Sequence, residues 1–171
     1  ARSLLGLDVL GEHALLLDGP AATLHTTVAG DLAAHLPLER GTRGHRYLPV
    51  TLPGGRVVRA LWDTGADITV VDRELVTSHP ELFTALGSAS GTDSSGTTAV
   101  TDLARMEAYR ITDVPFASHT VAIADLTAVP EPITMCLGYP TLRQAIWSMD
   151  LPSGRWAVSR AKACSTGEPL S

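Results

Sequence analysis

The sequence predicts an all-β protein with almost no helix. Many short apolar stretches alternate with polar positions at the two-residue period of a strand. Turn-forming clusters such as Pro53-Gly54-Gly55 and Asp113-Val114-Pro115 separate them at close intervals. The chain has 171 residues, 44% hydrophobic and 18% charged, enough for one domain or for one lobe with attached segments. That composition suits a packed core and argues against disorder.

Taken in order, residues 4–10 read as a short strand and a helical turn, followed by two strands turned at Asp18-Gly19-Pro20. Residues 28–45 carry glycine and charge and are expected to be a linker, with a short helix at 31–35. Leu48, Val50 and Leu52 then alternate with Tyr47, Pro49 and Thr51, a half-buried strand. Pro53-Gly54-Gly55 turns it back into Val57–Trp62, a hairpin that leads to Asp63. After Val71, Asp72 is placed to cap a short helix. Residues 86–98 are small and polar with no apolar anchor, which suits a hairpin tip, an active-site cover or a plain surface loop. Strands follow over residues 103–111 and 120–124, and a loop at residues 129–132 leads to a last strand at 133–137. Pro140 suits the first turn of a helix that ends near Ala145, and residues after Arg160 are expected to be a flexible tail.

The two ends of the chain share a layout. Leu5, Gly6, Leu10, Asp18 and Pro20 superpose without gaps on Leu137, Gly138, Leu142, Asp150 and Pro152, at a constant offset of 132 (137 − 5 and 150 − 18). Apolar positions track as well: Leu15, Leu17 and Leu24 fall on Trp147, Met149 and Trp156. The matched order of glycine, turn and strand points to an internal repeat.

Several functions are excluded by what the chain lacks. A net charge of −5 with no Lys/Arg run gives no electrostatic basis for binding nucleic acid. The apolar N-terminal stretch is broken by Asp8, Glu12 and His13, so no membrane span is expected. The six histidines never fall at metal-ligand spacing with a carboxylate or cysteine, so neither metal nor cofactor is expected. No glycine-rich stretch runs into Lys-Ser or Lys-Thr, and Gly87-Ser88-Ala89-Ser90-Gly91 has alanine where a nucleophilic serine would stand. Cys136 lies in an apolar run and reads as a buried thiol; it and Cys164 can pair or stay reduced. A single lysine, Lys162, and no asparagine suit a GC-rich bacterial genome.

What remains is Asp63-Thr64-Gly65-Ala66-Asp67, set between the apolar runs Val57–Trp62 and residues 68–71. A strand that ends at an acid, followed by a hydroxyl residue and glycine, places one carboxylate at a turn with N–H groups at hand. Downstream lie the small-residue hairpin and the strand end Cys136-Leu137-Gly138. Together these parts, over residues 46–160, resemble the retropepsin-like aspartic proteases, of which the retroviral enzymes are best known. The resemblance implies a closed β-barrel lobe with one short C-terminal helix and an aspartic endopeptidase acting on polypeptide. It further implies Asp63, Thr64 and Gly65 as the catalytic segment, with Thr64 bracing two such loops against each other. Ala66 and Asp67, with Gly91, Ser94, Ser95 and Gly96 of a flap, would contact substrate.

One departure concerns Asp67. Retroviral enzymes carry an arginine after the glycine of the late strand, paired with that acid; here the position is Tyr139, and Asp67 takes another partner. A second concerns the count of acids, because the chain has one Asp-Thr-Gly and the reaction needs two aspartates. A symmetric homodimer would supply the second, and so would another lobe. Residues 1–27, with their likeness to 133–159, resemble the end of such a preceding lobe. A competing expectation is a peptide-binding or dimerisation module that kept the fold without the activity.

Overall fold

The computed structural model describes residues 6–27, 35–92, 98–127 and 131–160. The helix expected at residues 31–35, the tail after Arg160 and, within the hairpin tip expected over residues 86–98, residues 93–97 fall wholly or mostly outside them. The described chain is built from strands, as the sequence predicts. A helical turn α1 (Leu7–Leu10) leads to β1 (Ala14–Asp18) and β2 (Thr23–Thr26). Two-residue strands β3 (Leu36–Pro37) and β4 (Glu39–Arg40) follow within the stretch expected to be a linker.

Next come β5 (Arg46–Thr51), β6 (Val57–Trp62), β7 (Thr69–Asp72) and the helix α2 (Arg73–Ser78). Gly54 and Gly55 turn β5 into β6 at φ values of 81° and 84°, which only glycine adopts without strain. Asp72 caps α2 by accepting from the Glu74 N–H at 3.1 Å, as its sequence position predicts, so the lobe holds this helix besides the short C-terminal one.

β8 (Phe83–Thr92) and β9 (Thr98–Met106) form one long hairpin, so the small residues from Gly87 to Gly91 are strand rather than loop. Backbone pairing with β9, not side-chain packing, holds that segment extended. β10 (Tyr109–Ile111) and β11 (Val114–Phe116) make a short hairpin. Pro115, read as part of a turn, lies in β11, an edge strand where its missing N–H is tolerated. β12 (His119–Ala124), β13 (Met135–Leu137), α3 (Tyr139–Leu142), β14 (Ile146–Asp150) and β15 (Arg155–Ser159) complete the order.

Two sheets result. The larger runs β11-β10-β5-β6-β13-β7-β12-β9-β8, with β4 beside β5; among the described residues no pairing joins its two ends. The smaller runs β2-β1-β14-β15-β3, so the two ends of the chain meet in one sheet. One core lies between them: Trp147, Met149, Trp156 and Leu15 of the smaller sheet pack with Leu48, Val50, Ile111, Phe116 and Met135 of the larger. The ring of Phe116 lies 5.7 Å from that of Trp147.

The internal repeat is present in three dimensions. α1, β1 and β2 begin 132 residues before α3, β14 and β15 (7 and 139, 14 and 146, 23 and 155). Leu10 N–H donates to Gly6 O at 3.0 Å as Leu142 N–H donates to Gly138 O at 3.1 Å. Ala21 N–H donates to Asp18 Oδ1 at 3.1 Å as Ser153 N–H donates to Asp150 Oδ1 at 3.2 Å. Even the left-handed turn residue recurs: Ala22 at φ 53° and Gly154 at φ 66°.

Candidate active site

Asp63 is the first residue after β6, and the strand pairings explain why the chain breaks there. β6 and β7 are not neighbours. β13 lies between them, parallel to β6 and antiparallel to β7. Residues 63–68 must therefore cross two strand spacings, about 10 Å, over the end of β13. Three hydrogen bonds fix the crossing. Asp63 N–H donates to Leu137 O at 3.2 Å and Tyr139 N–H to Ala66 O at 2.8 Å. Gly138 N–H donates to Thr69 Oγ1 at 3.2 Å.

The Asp63 carboxylate is half-buried, with each oxygen met by a donor. Gly65 N–H donates to Oδ1 at 2.9 Å. The Cys136 thiol donates to Oδ2 across 3.7 Å. Burial first, and the Asp63 charge second, push the Cys136 thiol up to about 12, so it stays a neutral donor.

Gly138 is needed for space rather than for its torsion angles, since its φ of −96° is ordinary. A Cβ there would stand 2.3 Å from Ile68 O and 2.8 Å from Ala66 O. Beneath the loop lies a buried polar chain. Thr69 Oγ1 meets Thr141 Oγ1 at 2.9 Å, and Tyr109 OH meets Thr141 Oγ1 at 2.6 Å. His119 Nε2 stands 3.4 Å from the same hydroxyl. Desolvation raises the Tyr109 phenol well above its ordinary range and lowers the His119 imidazole, so both are neutral at pH 7.

The loop brings Asp63, Thr64, Gly65, Ala66 and Asp67 together, with Thr64, Gly65 and Asp67 exposed. Tyr139, in the place of the retroviral arginine, is 51% exposed and reaches the loop through its backbone N–H. Gly91 stands apart, exposed on β8 opposite Ala99, and no described hydrogen bond joins it to the loop. Ser94, Ser95 and Gly96 lie outside the described residues. Sequence reasoning placed Cys136 in the core without connecting it to Asp63, and it missed Thr69, Thr141 and Tyr109. The signal available for Cys136 was its place two residues before the glycine of the late strand.

Residues 48–141, more than half of the chain, match the model of the family described as aspartyl protease. No curated protein sequence matches. Among solved structures, the chain is similar to a retropepsin-like aspartic protease from Rickettsia conorii at 14% identity and a TM-score of 0.43, over 63% of this chain and 76% of that one. It is also similar to the foamy viral protease-reverse transcriptase, solved with an RNA/DNA hybrid, at 14% identity and a TM-score of 0.38, over 56% of this chain and 11% of that one. The matched span holds the Asp63 loop and the β13–Gly138 strand end that locks it, and the chain belongs to the aspartyl protease family.

Proposed function

We propose that the protein is an aspartic endopeptidase in which Asp63 supplies one half of the catalytic pair. The observation that carries the reading is the Asp63 carboxylate, held by Gly65 N–H on a loop locked over β13 yet open to solvent on its outer side. A second aspartate from another lobe or subunit would face it. Two carboxylates at such close range cannot both ionise and so share one proton. The ionised member takes a proton from a water, which attacks the peptide carbonyl. The protonated member donates to the carbonyl oxygen and stabilises the tetrahedral intermediate. No covalent enzyme intermediate and no cofactor enter.

Thr64, exposed at the crest, would hydrogen-bond the facing loop. Gly65 leaves room for substrate, since any side chain there would intrude. Half-buried Ala66 and exposed Asp67 continue the same edge, and the β8–β9 hairpin with Gly91 serves as the cover. The test is hydrolysis of unfolded polypeptide by the chain at concentrations that bring two copies together, and by a tandem protein carrying two lobes. Asp63→Asn abolishes cleavage in both if the reading is right; full activity in the variant overturns it. The competing reading, a peptide-binding lobe without activity, is favoured by the single Asp-Thr-Gly. It predicts peptide binding that Asp63→Asn leaves intact and no cleavage in either protein.

A further inference from the structure

The smaller sheet carries a symmetry that the lobe itself does not need. β1 pairs with β14 antiparallel, and its central pair, Leu16 with Ser148, is one of the 132-offset matches. The hairpins on either side have the same register. Leu15–Thr26, Leu17–Leu24 and Asp18–Thr23 in one become Trp147–Val158, Met149–Trp156 and Asp150–Arg155 in the other. A pseudo-two-fold axis therefore runs between β1 and β14, normal to the sheet, and maps each half onto the other.

Burial breaks the symmetry. Strand alternation puts Leu15, Leu17, Leu24, Trp147, Met149 and Trp156 on one face. The lobe covers that face on the β14–β15 side, where Trp156 is 0% exposed. On the β1–β2 side the matching residue, Leu24, is 46% exposed, and Leu17 is only half-buried where Met149 is fully so. The same holds at the helical turns: Thr141 is 0% exposed beneath the Asp63 loop, and its match, Val9, is 48% exposed. Gly6, which matches Gly138, has no loop crossing over it among the described residues.

We propose that residues 6–26 are the closing segment of a second lobe of the same fold, which sits on the uncovered half of this face. That lobe would be joined ahead of Gly6 in one polypeptide and would cover Leu24 and Val9 as this lobe covers Trp156 and Thr141. By the same offset its own acid loop would fall about 75 residues before Gly6 (138 − 63). The assignment of the second acid to that lobe rests on the protease reading; the placement of the lobe does not. The geometry disfavours a homodimer through this sheet, because β1 already occupies the edge of β14 that a second copy's β14 would need.

Thiol accessibility tests the placement without using activity. In a Cys164→Ser background, Leu24→Cys in the 171-residue chain reacts rapidly with a maleimide. In a tandem protein with a copy of residues 46–137 joined directly to Gly6, the same thiol reacts at least about tenfold more slowly. Equal rates overturn the proposal. A second variant tests the rival homodimer without using the tandem: in the same Cys164→Ser background, Ser148→Cys in the 171-residue chain stays a monomer under oxidation. A covalent dimer means that two β14 strands pair across copies, and it overturns the proposal too. Peptide cleavage by the tandem is read separately. A protected Leu24→Cys in an inactive tandem refutes the protease reading and leaves the lobe assignment standing. An active chain whose Ser148→Cys variant cross-links two copies does the reverse.

Discussion

Replacing Gly138 by alanine probes the lock that holds Asp63. The added methyl would lie 2.3 Å from Ile68 O and 2.8 Å from Ala66 O, both backbone atoms that cannot rotate away. Reaching an ordinary contact of about 3.5 Å requires the loop to lift by roughly 1 Å. Overpacking of that kind costs about 1–3 kcal/mol. Lifting also strains the bonds from Tyr139 N–H to Ala66 O and from Gly138 N–H to Thr69 Oγ1, each worth about 1 kcal/mol net. The expected loss is about 3–5 kcal/mol, a large share of the roughly 5–15 kcal/mol of a typical domain. At about 2–4 °C per kcal/mol for a chain of this size, Tm falls by about 10 °C. Urea unfolding followed by tryptophan fluorescence measures the loss. Gly91→Ala is the control, since nothing lies within 4 Å of its added Cβ, and it should change stability by less than about 0.5 kcal/mol. A Gly138→Ala loss below about 1 kcal/mol would refute the close crossing of loop over strand.

Three further outcomes follow from the same geometry. Thr141→Val strips the Thr69 hydroxyl and the Tyr109 phenol of a buried partner and should cost about 2–4 kcal/mol in urea unfolding; a neutral result would contradict the network. Cys136→Ala removes the thiol that donates to Asp63 Oδ2. It should lower kcat about fivefold with KM unchanged, as for the loss of a bond of about 1 kcal/mol, and an unchanged kcat would show that the thiol only fills space. Glu131 accepts from the Thr42 hydroxyl and N–H, then from Tyr47 and Arg59, and these hold its carboxyl at about 2, well below the ordinary glutamate value of 4.5. A depressed folded-state pKa stabilises above the unfolded value and is lost as pH falls through the folded one. The Tm gap between the wild type and Glu131→Gln should therefore be steady above about pH 5 and close towards pH 2; a gap that persists at pH 2 would contradict the assignment.

Local signals were legible and long-range pairing was not. The hairpin into Asp63 could be read because Pro53-Gly54-Gly55 and the alternation at Leu48, Val50 and Leu52 are short-range features. The Asp72 cap was readable for the same reason, and the 132-residue repeat because it is a match of residue order that requires no knowledge of pairing. The insertion of β13 between β6 and β7 was hidden, because a three-residue strand carries no periodicity and its partners lie more than sixty residues away. With it went the true surroundings of Asp63: Cys136, Gly138 and Thr141 all arrive on that strand or just after it. β3 and β4 were hidden by their two-residue length. Tyr47 looked solvent-facing by alternation, yet it is buried beneath the Arg59 guanidinium, 3.6 Å from its ring centroid.

The central claim is that Asp63 is half of an acid pair. Its most direct test is the cleavage rate of unfolded polypeptide by the two-lobe tandem with Asp63→Asn in one copy only. Loss of a shared acid-base group predicts a fall of at least about a hundredfold, equal for either copy. A rate within about twofold of the unsubstituted tandem would show that Asp63 takes no part in the chemistry.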